Sequence, residues 1–341
     1  MEENRNEPCD KCGVLDRAHG ALIAGAIGDA MGMPASFFTR NHIKSVYGYI
    51  DDFLDPDPET QTWHGDLAAG EVTDDTMEGL IIADVLIERG TFDRDVFIAK
   101  MRAWAVEHNI LDTTVIGPST RRFLTAIVEG RNPVETSKQS TTNGSAMRVA
   151  PIGVKYYDDM RLCLQAAAES SLPSHGSRPC VAAACAVAAA VAAGVQGGST
   201  PEAVMQLAYE GAVYGESIGA DIPSASVSKR ILLAKEIVNR NRTRGISDTL
   251  DELVGLLGAG MQAVESIPFS LGVFYAVSGD VQKGLLAAVN GGDDADTNGS
   301  ICGNICGAFS GVNALPKRWT SRIERENRID FLPIAKQLLN R

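Results

Sequence analysis

Aromatic residues make up only 6% of this 341-residue chain, and sustained apolar–polar alternation is missing from it. The first shortage leaves packing to small side chains. The second excludes a strand-rich fold, whose half-buried strands need a period of two. Basic residues are outnumbered, 31 Lys+Arg against 43 Asp+Glu, for a formal net charge of −12. That excludes sequence-independent nucleic-acid binding, which relies on Lys and Arg neutralising phosphates, and it argues against an anionic membrane surface. The most apolar run, 181–195, is mostly alanine and shorter than a bilayer span, so it predicts a buried helix. The start, Met1-Glu-Glu-Asn-Arg-Asn-Glu-Pro8, lacks the apolar core of a secretory leader, and a cytoplasmic protein is the expectation. The seven cysteines are odd in number and mostly in apolar surroundings (Cys163, Cys180, Cys185, Cys302, Cys306), which fits reduced thiols. Cys9-Asp-Lys-Cys12 has no second pair to complete a tetrahedral site and reads as incidental.

Glycine, by contrast, is plentiful, with 34 residues. Gly25, Gly28 and Gly32 recur at helical spacing near the start. Gly299, Gly303, Gly307 and Gly311 do so near the end. Glycine weakens a helix, so each repetition implies a flat face for close packing. Apolar spacing predicts helices over about 15–32, 74–89, 94–107 and 119–129. Further ones fall near 159–170, 179–194, 201–215, 228–240, 248–263, 267–277 and 280–289, with a last long one at 298–313. Thr73 before the second helix and Gly90 after it are good start and stop residues. Residues 35–70 and 136–153 read as loops. The expectation is an all-α chain with a flexible tail at 1–13 and one compact domain at 14–341.

Two acidic stretches stand out. Asn290-Gly-Gly-Asp-Asp-Ala-Asp-Thr-Asn-Gly-Ser300 packs Asp293, Asp294, Asp296 and Thr297 into five residues. Thr73-Asp74-Asp75-Thr76 echoes it far upstream. Crowded carboxylates repel, and a proton or cation must offset that cost. Alone, Thr-Asp-Asp-Thr would serve equally as an N-cap with an acidic first turn. Together Thr73, Asp74, Asp75, Asp294, Asp296 and Thr297 offer four carboxylates and two hydroxyls, the oxygen donors that Mg²⁺, Mn²⁺ or Ca²⁺ prefer. Such a set could hold two ions. Neither has EF-hand spacing.

Five segments, in order along about residues 15–320, carry a resemblance to the ADP-ribosylglycohydrolases. These are Gly20-Ala-Leu-Ile-Ala-Gly-Ala-Ile-Gly-Asp-Ala-Met-Gly-Met-Pro34, Glu71-Val-Thr-Asp-Asp-Thr76, Gly117-Pro-Ser-Thr120 with Asn143-Gly-Ser-Ala-Met-Arg-Val-Ala-Pro151, Ser174-His175, and Asp294-Ala-Asp-Thr297. The resemblance implies an orthogonal helical bundle with a binuclear Mg²⁺ or Mn²⁺ centre at the bottom of a cleft. It implies hydrolysis at C1 of an ADP-ribosyl group. Thr73, Asp74, Asp75, Asp294, Asp296 and Thr297 would be the metal ligands, with Asp75 and Asp294 close to the chemistry. Gly117, Ser119, Asn143, Gly144, Ser145 and Met147 would contact substrate, the 143–148 loop through its phosphate, and His175 through ribose or base.

One departure matters. Many members of that family carry a glutamate two positions after the proline, an acid/base in some of them. Here that substrate-facing position is Ser36, which has no carboxylate. Asp112, shortly before Gly117, is the best remaining candidate, with Glu71 and Glu78 behind it. Three functions remain in play: removal of ADP-ribose from a protein side chain, arginine first; the same chemistry on a small N-ribosyl or nucleoside-like substrate; or a non-catalytic ADP-ribose-binding protein.

Overall fold

The computed structural model describes residues 11–340. Among these residues eighteen α-helices follow one another, beginning with α1 Lys11–Gly32, α2 Arg40–Val46, α3 Asp74–Arg89, α4 Arg94–Glu107 and α5 Pro118–Val128. Three short ones come next, α6 Val134–Ser137, α7 Gly144–Met147 and α8 Ala150–Lys155. Then come α9 Met160–Ser171, α10 Arg178–Gln196, α11 Pro201–Ile218, α12 Val227–Arg240 and α13 Ile246–Leu257. The chain finishes with α14 Ala263–Ala276, α15 Val281–Val289, α16 Ala295–Ser310, α17 Lys317–Asn327 and α18 Phe331–Leu339. Among the described residues there is no strand, only three isolated bridges. The chain is all-α, as its periodicity requires.

The two glycine stripes meet each other. The antiparallel pair α1 and α16 is so close that a Cβ on Gly28 would overlap the Gly299 carbonyl, and one on Gly307 would overlap that of Gly20. Only glycine permits such backbone contact. The flat face of the second stripe thus seats its helix on α1. Residues Ala18 to Gly32 of α1 are buried almost without interruption, as are Pro179 to Val195 of α10. A helix that is apolar all round belongs at the centre of a protein. Among the described residues α10 alone is long and apolar enough to cross a membrane, and 94% of that stretch is buried inside the protein.

Several boundaries differ from expectation. Lys11–Gly13 are helical, so the domain begins before residue 14. Residues 1–10, with Cys9 and most of the expected tail, lie outside the described residues. The 35–70 segment contains α2, capped by the Thr39 hydroxyl, which accepts from the His42 N–H at 3.2 Å. The 136–153 segment contains two short buried helices, α7 and α8, and the end of the more exposed α6, rather than an open loop. α17 and α18 have no counterpart among the expected elements. They bury only Trp319 and Ile323, and Phe331, Ala335 and Leu338, too few apolar positions to raise a periodic signal. α17 nonetheless bears on the site. Asn327 donates to the Gly70 carbonyl at 2.8 Å and accepts from the Val72 N–H at 3.0 Å, fixing the chain just before Thr73.

Candidate active site

The end of α1 brings the two acidic stretches together. Asp29, fully buried on α1, accepts four hydrogen bonds at the start of α3. They come from the Thr73 N–H (3.0 Å) and hydroxyl (2.8 Å), and from the Thr76 N–H (3.2 Å) and hydroxyl (2.6 Å). A carboxylate there satisfies amides that lack helical partners and complements the helix dipole. Burial pushes the Asp29 carboxyl up to about 6, against the opposing effect of those threonine bonds. The start of α16 is placed by the turn after α1. Asp293 and Phe38 pair their backbones, with the Asp293 N–H donating to the Phe38 carbonyl at 2.7 Å. Phe37 (φ 67°) and Asp293 (φ 58°) both take the left-handed conformation, which is uncommon for residues with a Cβ.

A cleft opens over this junction. Asp74, Asp75, Asp294, Asp296 and Thr297 line it together, so the two stretches share one wall. Thr297 Oγ1 donates to Asp75 Oδ1 at 3.4 Å across the junction. Asn143 Nδ2 donates to Asp294 Oδ2 at 2.6 Å, and Ser266 Oγ accepts a 3.0 Å bond from the same amide. His64 Nε2 lies 3.0 Å from Asp296 Oδ2. Asp75 Oδ2 and Asp296 Oδ1 are buried with no hydrogen-bond partner.

The electrostatics follow from burial. Asp74, Asp75 and Asp294 are held well above the usual carboxylate range, first by desolvation and then by neighbouring carboxylates. Asp296 goes the other way. Burial raises it, but the hydrogen bond and charge of His64 outweigh that. No three His, Cys, Asp or Glu groups among the described residues close on a common point. Like charges keep apart without a counter-charge. The donor set is nonetheless one a hard cation accepts: carboxylate and hydroxyl oxygens, two of the former unpaired.

The sequence profile of the ADP-ribosylglycohydrolases matches residues 11–341. The chain is 33% identical to the uncharacterised protein YegU of Escherichia coli (strain K12), over 95% of this chain and 96% of that protein. It is 27% identical to the ADP-ribosylarginine hydrolase Tri1 of Pseudomonas putida (strain GB-1), over 96% and 79%. The fold superposes on a solved chain titled "ADP-ribosylglycohydrolase-related protein complex" with a TM-score of 0.67 at 24% identity, covering 96% of this chain and 98% of that one. This chain belongs to the ADP-ribosylglycohydrolase family. Its members are hydrolases acting on ADP-ribosyl glycosidic bonds.

The ADP-ribosylglycohydrolase cleft gathers most of the expected residues but not all. Gly117, Asn143, Gly144 and Met147 line it. Thr73 lies just behind, its hydroxyl proton given to Asp29 and one lone pair to the Asp75 N–H at 3.3 Å. Ser36 is buried with its Oγ near Asp296, which it helps to keep low, yet that oxygen makes no hydrogen bond of ordinary geometry. Ser119 accepts from Arg122 and Ser145 donates to the Cys180 carbonyl; neither lines the cleft. His175 is 1% exposed and sits behind Gly144. Ser174 Oγ (2.7 Å) and Thr142 Oγ1 (3.1 Å) occupy its two nitrogens. Burial, then the Arg148 and Arg122 charges, hold it well below its usual pKa, so it supports the loop as a neutral ring. Glu78 pairs with Arg148 at 2.5 Å, both side chains fully buried, and Glu71 caps the Ala68 N–H at 2.7 Å. Asp112 is exposed, in the turn Ile110–Asp112, and does not line the cleft. The 108–117 loop turns its apolar Val115 and Ile116 inward instead. The carboxylate chosen from its place in sequence is therefore not the one facing the site.

Other residues of the cleft come from the 35–70 segment. Phe37 and Trp63 pack ring against ring at 4.9 Å, and both line it. His64 reaches Asp296 across 232 positions of sequence. No spacing rule finds such a pair.

Proposed function

We propose that this protein cleaves the C1 glycosidic bond of an ADP-ribosyl group, with ADP-ribosylated protein arginine as substrate. The observation carrying it is the shared wall formed by Asp74, Asp75, Asp294, Asp296 and Thr297. We propose two Mg²⁺ or Mn²⁺ ions as cofactors, held by those residues with the remaining lone pair of Thr73. Bound ions of this kind supply a water of lowered pKa and a grip on ribose hydroxyls.

The chain's own groups do the rest. The carboxylates stabilise the positive charge that develops at C1 as the bond loosens. A water hydroxyl joins C1, the C1–N bond pair leaves with the guanidine nitrogen, and the water's proton compensates it. A cleft-facing carboxylate, Asp75 or Asp294, is placed to carry that proton. Asn143 orients Asp294 while doing so. Among the described residues no Lys or Arg lines the cleft. A guanidinium adduct thus meets carboxylates and aromatic faces rather than like charge. The similarity to a protein named ADP-ribosylarginine hydrolase supports the same choice.

The test is incubation with Mg²⁺ and ADP-ribosylated arginine, with free ADP-ribose read by chromatography. Release of ADP-ribose supports the reading. Release of ribose from a nucleoside panel alone would move the substrate to a small N-ribosyl compound. No turnover but tight ADP-ribose binding by calorimetry would make the protein a reader.

A further inference from the structure

Among the described residues, His64 is the one titratable group lining the cleft that is not a carboxylate. It sits on the segment before α3, which is tied down on both sides. Gln61 Nε2 donates to the Pro34 and Ser36 carbonyls, both at 3.2 Å, and Gln61 Oε1 accepts from the Trp63 N–H at 2.9 Å. Thr114 Oγ1 donates to the Trp63 carbonyl at 2.7 Å. The imidazole that follows is 4% exposed and stands 3.0 Å from Asp296. An ionised carboxylate only accepts hydrogen bonds, so Nε2 carries the proton and donates it.

The bond divides the two oxygens of Asp296: Oδ2 is taken by His64, and Oδ1 is buried and unpaired. Asp75 is divided in the same way, with Oδ1 taken by Thr297 and Oδ2 unpaired. The terminal torsion of an aspartate is broad and roughly two-fold. A carboxylate without such a donor must be ordered when a cation binds.

We infer that His64 is a positioning residue: its Nε2–H fixes the rotation of Asp296 so that Oδ1 is the oxygen offered to a divalent cation. This rests on the metal reading proposed above. Residues that orient a metal ligand contribute about 10–100-fold to metal affinity.

Mn²⁺ binding to the full chain, followed by electron paramagnetic resonance, tests it. His64→Leu removes the donor and is expected to weaken Mn²⁺ binding by about 10–100-fold with unchanged helical circular dichroism. His64→Gln places an amide nitrogen near the position of Nε2 and should bind close to wild type. Wild-type affinity in His64→Leu, or equal loss in both variants, overturns the inference. If His64→Leu does not fold, Gln61→Ala carries the test. It frees the segment without touching the cleft and should lower affinity in the same direction; wild-type binding there overturns the inference. The double variant Asp74→Ala/Asp296→Ala separates the two ideas. If it loses Mn²⁺ while His64→Leu keeps it, only the role of His64 falls. If it keeps Mn²⁺, the metal reading falls and the role of His64 with it.

Discussion

Both halves of the cleft wall are helix starts carrying acidic residues, yet they are held in different ways. The Thr73–Thr76 half hangs on one charged group, the Asp29 carboxylate, through four hydrogen bonds from two threonines. The Asp293–Thr297 half has no side-chain cap of its own. Donors from elsewhere hold it: Asn143 on Asp294 and His64 on Asp296. The first half is thus a matter of folding, because its fixing group also joins α1 to α3. The second is a matter of fine positioning, because its fixing groups act on single carboxylate oxygens.

Breaking each half should show the difference. Asp29→Ala strips four buried donors of their acceptor. It should cost about 3–5 kcal/mol of stability, within the range for an uncompensated buried group, measured by chemical denaturation. A loss under about 1 kcal/mol would mean that water or the helix itself replaces the carboxylate. Asn143→Ala frees Asp294 and Ser266 at the cleft wall. It should cost only about 1 kcal/mol while lowering kcat by about tenfold or more, seen by comparing denaturation with turnover. A large stability loss with normal turnover would reverse the assignment of the two halves. The smallest effect is expected for Asp112→Asn, which changes an exposed side chain off the cleft. Its turnover should match wild type, and a hundredfold fall would return Asp112 to the reacting groups.

The same contrast explains what the sequence disclosed. The first half was legible because its signals are local: Thr73 as cap, two aspartates in the first turn, apolar spacing to Leu86, and Gly90 at the end. The glycine stripes were legible as close-packing faces, though not which faces would meet, since a flat face names no partner. The carboxylates of the second half were legible from their crowding. Their fixing was not, because Asn143 and His64 reach them from 151 and 232 residues away. Asp112 misled because position before a motif does not determine which way a loop turns. Here Val115 and Ile116 gain burial by facing inward, while a carboxylate is better left in water. α17 was invisible for the opposite reason: it buries two residues and acts through Asn327 on a backbone segment.

The most direct test of the central claim, a split site closed by divalent cations, is a titration of the metal-free protein with Mn²⁺ observed by electron paramagnetic resonance. Two equivalents should bind per chain and give the spectrum of a coupled pair, which the Asp74→Ala/Asp296→Ala variant lacks. Free Mn²⁺ at every ratio, or the same bound signal in that variant, would contradict it.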